Sequence, residues 1–192
     1  MQARRGGWAQ WQATLTRADL DRLAFWDETR AVTILTLPYG RAPRGVRVAG
    51  HVPQGHWQRL TVAAAIRLTG VCGALAYGGG TTAEAAEAFV TAGLAGGLRP
   101  GDTVIGDDLS RHAHPDVIRA LARQGVGAKL LPPYAPDLNP IELAWSKVRQ
   151  ALRRAKGRTA EELSDAVADA LRAITPEGVR GWFKHCGYYT DS

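Results

Sequence analysis

Three acidic residues stand where short predicted elements begin or end. Asp27 closes the apolar stretch Leu23–Trp26, inside Phe25-Trp26-Asp27-Glu28-Thr29. Asp107 closes a strand predicted over Thr103–Asp107, and Glu142 falls in the first turn of a helix predicted over Asn139–Ala155. Ligand sites in α/β sheets gather at strand ends, so this placement can bring three carboxylates together. Converging carboxylates repel one another unless cations neutralise them. Hard oxygen ligands suit Mg²⁺ or Mn²⁺. Two such ions, about 3.5–4 Å apart, can activate a water or a 3′-hydroxyl and stabilise the leaving oxygen of a phosphodiester. Each acid also has a plainer explanation. Asp107-Asp108 is good turn sequence. Asn139, Pro140 and Glu142 together read as a helix cap, a first-turn proline and the third residue of a capping box.

The helix that carries Glu142 orders the residues around it. At helical spacing Ile141, Trp145, Val148, Leu152 and Ala155 form one apolar stripe, and Glu142, Ser146, Arg149 and Arg153 lie on the neighbouring face. Arg149 and Arg153 are therefore candidates for phosphate contacts, with Arg154, Lys156 and Arg158 extending the basic run. A solvated helix end complementing the dipole explains the same charges. His112 and His114 read either as ligands or phosphate contacts, or as loop and helix-start residues. His185-Cys186 makes no complete metal site.

The elements that would position these residues follow from periodicity and breakers. Residues 1–20 are polar, with a helix expected near Leu15–Arg22, and read as a linker. After the strand ending near Asp27, Gly40–Gly55 is rich in Gly, Pro and Arg and reads as loop. Two β-like segments, Trp57–Arg67 and Gly70–Tyr77, meet at a tight turn. Then come an Ala-rich helix over Thr82–Leu98, the strand to Asp107, a helix over His114–Gln124 stopped by Gly125, and a strand over Ala128–Leu131 ended by Pro132-Pro133. Helices over Asn139–Ala155, Thr159–Ile174 and from Thr175 toward Phe183 finish the chain. Three strands, then strands alternating with helices, make an α/β pattern that opens on an antiparallel meander.

Composition narrows the functional class. The chain has 192 residues, 45% of them apolar, and a formal charge of +6. This suits one domain with a real core and a polyanionic partner. No apolar run approaches the roughly 18 residues that span a bilayer, and the start lacks a signal core, so a cytoplasmic location is expected. Cys72 and Cys186 are far apart and are expected to be reduced.

Leu131-Pro132-Pro133-Tyr134-Ala135-Pro136-Asp137-Leu138-Asn139-Pro140-Ile141-Glu142 resembles a long signature of bacterial insertion-sequence transposases related to the mariner superfamily. Asp27-Glu28-Thr29 resembles that family's first acidic motif, and Asp107-Asp108-Leu109-Ser110-Arg111-His112 its second. Thirty-four residues lie between Asp107 and Glu142, the spacing that marks this branch. Tyr39–Gly45 and Gly187-Tyr188 are similar as well, and the likeness runs over roughly residues 15–190. It implies a ribonuclease-H-like domain over residues 21–190, with a mixed five-stranded sheet flanked by helices and the triad Asp27, Asp107 and Glu142 holding two Mg²⁺ or Mn²⁺ ions. It further implies cleavage and joining of DNA at transposon ends, a TA-containing target, action as a homodimer at the nucleoid, and end recognition by an N-terminal helix-turn-helix segment encoded separately or joined by a frameshift. Without that activity the chain would be a remnant that only binds DNA. Asp108 stands where the family usually has asparagine. Strand alternation sends Asp107 and Asp108 to opposite faces, and Asp107 is the expected ligand.

Overall fold

The pairing of the first strand explains how distant acids meet. In a computed structural model, which describes residues 2–50, 57–107 and 114–188, β1 spans Leu23–Val32, β2 Arg59–Arg67, β3 Gly70–Gly78, β4 Thr103–Gly106 and β5 Gly127–Leu130. They form one sheet in the order β3-β2-β1-β4-β5. β1, β2 and β3 pair antiparallel, whereas β4 lies parallel to β1 and β5 parallel to β4. The class is the expected α/β, with the expected meander at its start.

Helices cover both faces. On one side α5 (Pro140–Ala155), α6 (Ala160–Arg172) and α7 (Pro176–His185) pack on the sheet. That core includes Phe25, Ala64, Ile105, Trp145, Val148 and Phe183. On the other side α3 (Ala83–Ala88) and α4 (Pro115–Arg123) enclose Ala24, Trp26, Val104, Phe89 and Leu121. Alternate residues of β1 thus feed opposite cores, as a pleated strand requires.

Several elements depart from sequence expectation. β1 runs on to Val32 because β2 pairs with it from Phe25 through Val32. Asp27 is therefore inside a strand, not at its end. The Ala-rich helix stops early: α3 ends at Ala88, a single wide turn covers Phe89–Gly93, and Gly96 has φ +78°. Glycine is required there, since a Cβ on Gly97 would lie 1.7 Å from the carbonyl oxygen of Cys72. The stripe on α5 is buried as expected up to Leu152, but Ala155 is exposed.

The largest difference is at the start. Residues Gln2–Thr14 form a helix, α1, and only a short turn of helix, α2, follows at Arg17–Leu20. α1 is tied down by side chains. The Trp8 indole N–H donates to the Tyr188 hydroxyl at 3.1 Å, and that hydroxyl donates to the Leu138 carbonyl at 2.9 Å. The Gln12 amide donates to the Cys186 carbonyl at 2.9 Å, and Arg5 pairs with Asp137. Gly6 and Gly7 weaken local helix propensity by about 1 kcal/mol each. Tertiary anchoring of Trp8, 5% exposed, offsets that, and propensity alone could not show it. Both cysteines are free thiols.

Candidate active site

Register fixes the acids side by side. Phe25 of β1 pairs with Ile105 of β4, and both side chains enter the α5-side core. Two residues further along each strand, on the same face, come Asp27 and Asp107. β4 ends at Gly106, so Asp107 leaves the ladder where Asp27 continues in β1. Leu131 donates its N–H to the Gly106 carbonyl at 2.8 Å. The chain then turns through Pro132-Pro133-Tyr134 to a 3₁₀ turn at Pro136–Leu138 and into α5. Glu142 rides in the first turn of that helix.

Asp27, Asp107, Asn139 and Glu142 line one cleft of about 430 Å³, walled by Leu131–Pro136. Asp27 is 9% exposed and accepts the Glu28 backbone N–H at 2.7 Å. Burial pushes its carboxyl up to about 7. The charges of Glu142 and Asp107 add to the rise, and the Glu28 hydrogen bond opposes it. Asp27 therefore carries a carboxylate whose charge is poorly tolerated until something positive joins it.

The capping box predicted for α5 does not form. Asn139 precedes the helix with φ −108° and ψ 100°, and its side chain makes no cap hydrogen bond. The Asn139 side-chain oxygen is buried without a hydrogen-bond partner among the described residues, and Asn139 lines the cleft. Pro140 needs no N–H acceptor at the helix start, so the capping demand on Asn139 is already reduced. Capping therefore does not account for Glu142.

Among the described residues, no three His, Cys, Asp or Glu side chains are close enough together to form a ready metal cage. Asp27, Asp107 and Glu142 nevertheless line one cleft. The donor set is hard oxygen throughout, with the unpartnered Asn139 oxygen beside it, and this fits Mg²⁺ or Mn²⁺.

The basic residues are spread along α5. Arg149 is half-buried and donates to the Thr29 hydroxyl at 3.3 Å. Thr29 is two residues beyond Asp27 on the same face of β1, so Arg149 flanks the acids. Arg153 lies one turn on, half-buried, and Arg154 is exposed. Lys156 follows the last turn with φ 57°; fourteen residues of helix place it about 20 Å from Glu142. Lys156 instead lines a separate cleft with Arg158, and Arg158 is committed to the carbonyls of Thr33 and Leu35. His114 caps α4, accepting from the Asp116 N–H at 3.4 Å. His112 and Asp108 lie outside the described residues. Sequence reasoning passed over Asn139 as a cleft residue, although its place directly before Pro140 and close to Glu142 pointed there.

The mixed five-stranded sheet thus carries an acid-lined cleft. Residues 22–164 match the family model for the DDE superfamily endonucleases, and the chain belongs to that family. Its structure aligns with the Mos1 transposase paired-end complex with left transposon end at TM-score 0.76 and 16% identity, over 96% of this chain and 58% of that one. It aligns with the Mos1 strand transfer complex at TM-score 0.72 and 16% identity, over 98% and 62%. With the catalytic domain of the Mos1 mariner transposase the TM-score is 0.68 at 15% identity, over 98% and 94%. The fold is thus the ribonuclease-H-like fold of that catalytic domain. The chain spans only about three fifths of the longer Mos1 chains, 58% and 62%. No curated protein sequence matches the chain. Among the described residues no helix is long and apolar enough to cross a membrane.

Proposed function

We propose that this chain is the catalytic domain of a DNA transposase that cuts strands at transposon ends and joins them to a TA-containing target. The observation that supports this most is the convergence of Asp27, Asp107 and Glu142 on one cleft, with the Asp27 carboxyl destabilised by the other two. Two divalent ions held by these residues would supply Lewis-acid stabilisation and a water or 3′-hydroxyl of lowered pKa. Solved complexes of Mos1 with Mn and with Mg are in keeping with either metal.

The chain's own groups do the positioning. β1, central in the sheet, holds Asp27, and β4 beside it delivers Asp107 directly past its last residue. The α5 stripe fixes the helix, and with it Glu142. Arg149, held against Thr29, sets a positive charge at the flank of the acids for the DNA backbone. Arg153 and Arg154 continue that face. Reading of end sequence belongs, in this proposal, to a helix-turn-helix segment outside residues 1–192, and the active form is a homodimer on DNA.

The test is strand cleavage with Mg²⁺ or Mn²⁺ on DNA carrying the parent element's ends. Glu142→Gln should fold, bind DNA and cut at least 10²-fold more slowly, an order typical of losing a charge-stabilising catalytic group. A folded Glu142→Gln protein that cuts at the normal rate would sink the proposal.

A further inference from the structure

A second groove opens beside the acidic cleft. Its volume is about 350 Å³, and it lies between α1 and β5, with Arg4, Trp11, Lys129, Pro132 and Pro133 in its wall. Leu131, Pro132 and Pro133 line this groove and the acidic cleft alike. The two are therefore neighbours across a single ridge, on which Tyr134 stands 87% exposed with φ 55°. A bulky side chain in the left-handed region is a costly placement, and such residues collect at functional sites.

Register gives the scale. Lys129 of β5 pairs with Ile105 of β4, one row behind the acids and on their face of the sheet. Two residues along a strand span about 6.6 Å, of the order of one nucleotide step. The Lys129 ammonium sits 4.4 Å from the Trp11 ring centroid and 5.3 Å from that of Trp8. The aromatic pair thus holds the cation in place. No acidic side chain lines the groove, and no carboxylate pairs with Lys129 among the described residues. A positively charged, aromatic-walled groove is complementary to a nucleic-acid strand.

We propose that this groove is a strand-binding site that takes the nucleotide next to the scissile phosphate. Lys129 and Arg4 meet its phosphate, Trp11 and the Pro132-Pro133 ridge pack against its sugar and base, and Tyr134 offers a face where the strand crosses from the acids. The inference rests on the transposase reading for the position of the scissile phosphate. It assigns α1 to the DNA interface, where sequence alone suggested a linker.

The test uses the full chain without metal and a short labelled oligothymidine. Binding is followed by anisotropy across a salt series and by quenching of tryptophan fluorescence. Lys129→Gln should weaken binding several-fold at low salt and flatten the salt slope by about 0.7, the share of one phosphate on a single strand. Lys129→Arg should restore the slope. Trp11→Phe should remove most of the oligonucleotide-dependent quenching. Arg172→Gln, which removes an exposed charge on α6, should leave slope and quenching as they were. An unchanged slope in Lys129→Gln, or undiminished quenching in Trp11→Phe, would overturn the site. These readouts do not depend on cleavage. If they fail while Glu142→Gln still abolishes cutting, only the groove is wrong; if Glu142 proves dispensable for cutting, the transposase reading falls whatever the groove does.

Discussion

Asp27→Asn should stabilise the metal-free protein above neutral pH and, on the proposed function, abolish DNA cutting. Burial and the charges of Glu142, Asp107 and Glu28 carry the Asp27 carboxyl from 3.8 to about 7. At about 1.4 kcal/mol per pH unit, the charged form is destabilised in the fold by about 4 kcal/mol. A group whose folded pKa lies above its unfolded value favours folding most when protonated. The wild-type protein is therefore free of this cost below about pH 4. It loses stability as pH rises through the window between 3.8 and about 7, and the loss levels off above it. Asparagine keeps the shape and carries no charge, but its amide loses solvent, which costs about 1–3 kcal/mol where hydrogen bonds are incomplete. The net expectation is a variant more stable by about 1–3 kcal/mol at pH 8. The assay is urea unfolding in chelator at several pH values between 4 and 8. The stability gap, variant minus wild type, should grow with pH and reach a plateau near pH 8. Mg²⁺ or Mn²⁺ at pH 8 should then stabilise the wild type and leave the variant nearly unmoved, because ligand binding to the folded state adds stability by mass action. A gap that does not change with pH, or a wild type more stable than the variant at pH 8 in chelator, would refute the account of a strained carboxylate.

Other perturbations follow from the same geometry. Tyr188→Phe strands the Trp8 indole N–H and the Leu138 carbonyl, so the urea midpoint should fall by an amount equivalent to about 1–3 kcal/mol with no change in slope. Asp102→Ala leaves the nearly buried Arg67 guanidinium without its carboxylate, 3.0 Å away and 3% exposed, and should cost about 3–5 kcal/mol in thermal or urea unfolding. A loss below about 1 kcal/mol would show that the pair is effectively solvated. Arg149→Gln with Arg153→Gln should weaken binding to any duplex and reduce its salt slope by up to about 2; an unchanged slope would reduce both to a solvated helix face.

What the sequence revealed and what it hid divide along a physical line. Local signals placed β2, β3, β4, α5, α6 and α7 within a few residues, because their apolar periodicity, glycine turns and caps are properties of short windows. The apolar stripe of α5 was equally local. The end of β1 was hidden, since its last residues are held by pairing with β2 across a long connection. α1 was hidden for the same reason: two glycines argue against a helix, and the hydrogen bonds that hold it come from Tyr188 and Cys186 at the other end of the chain. The capping box on α5 failed in the opposite sense. Its residues were all present, yet the Asn139 side chain left the local hydrogen bond unmade.

The site depends on register more than on any single contact. Asp27 faces Glu142 only because Phe25, two residues earlier, pairs with Ile105 and enters the core beneath α5. A one-residue slip of β1 would send Asp27 to the α3–α4 side and put Trp26 or Glu28 in its place. That slip is disfavoured by packing on both faces at once. Phe25 lies edge-on to Phe183 at 5.1 Å and to Tyr188 at 4.9 Å, while Trp26 packs on Phe89 at 5.2 Å. A slip one way would force the larger Trp26 indole into the first group and bury Asp27 in the second. A slip the other way would leave Ala24 in the first, and emptying a buried phenylalanine site to alanine costs about 3–5 kcal/mol. The aromatic residues beside Asp27 are thus the physical reason that its charge stands among the other two. Substitutions at Phe25 or Trp26 should consequently weaken metal-dependent stabilisation before they unfold the protein, and a Trp26→Phe variant that melts lower but responds fully to Mg²⁺ would show that the register is held elsewhere.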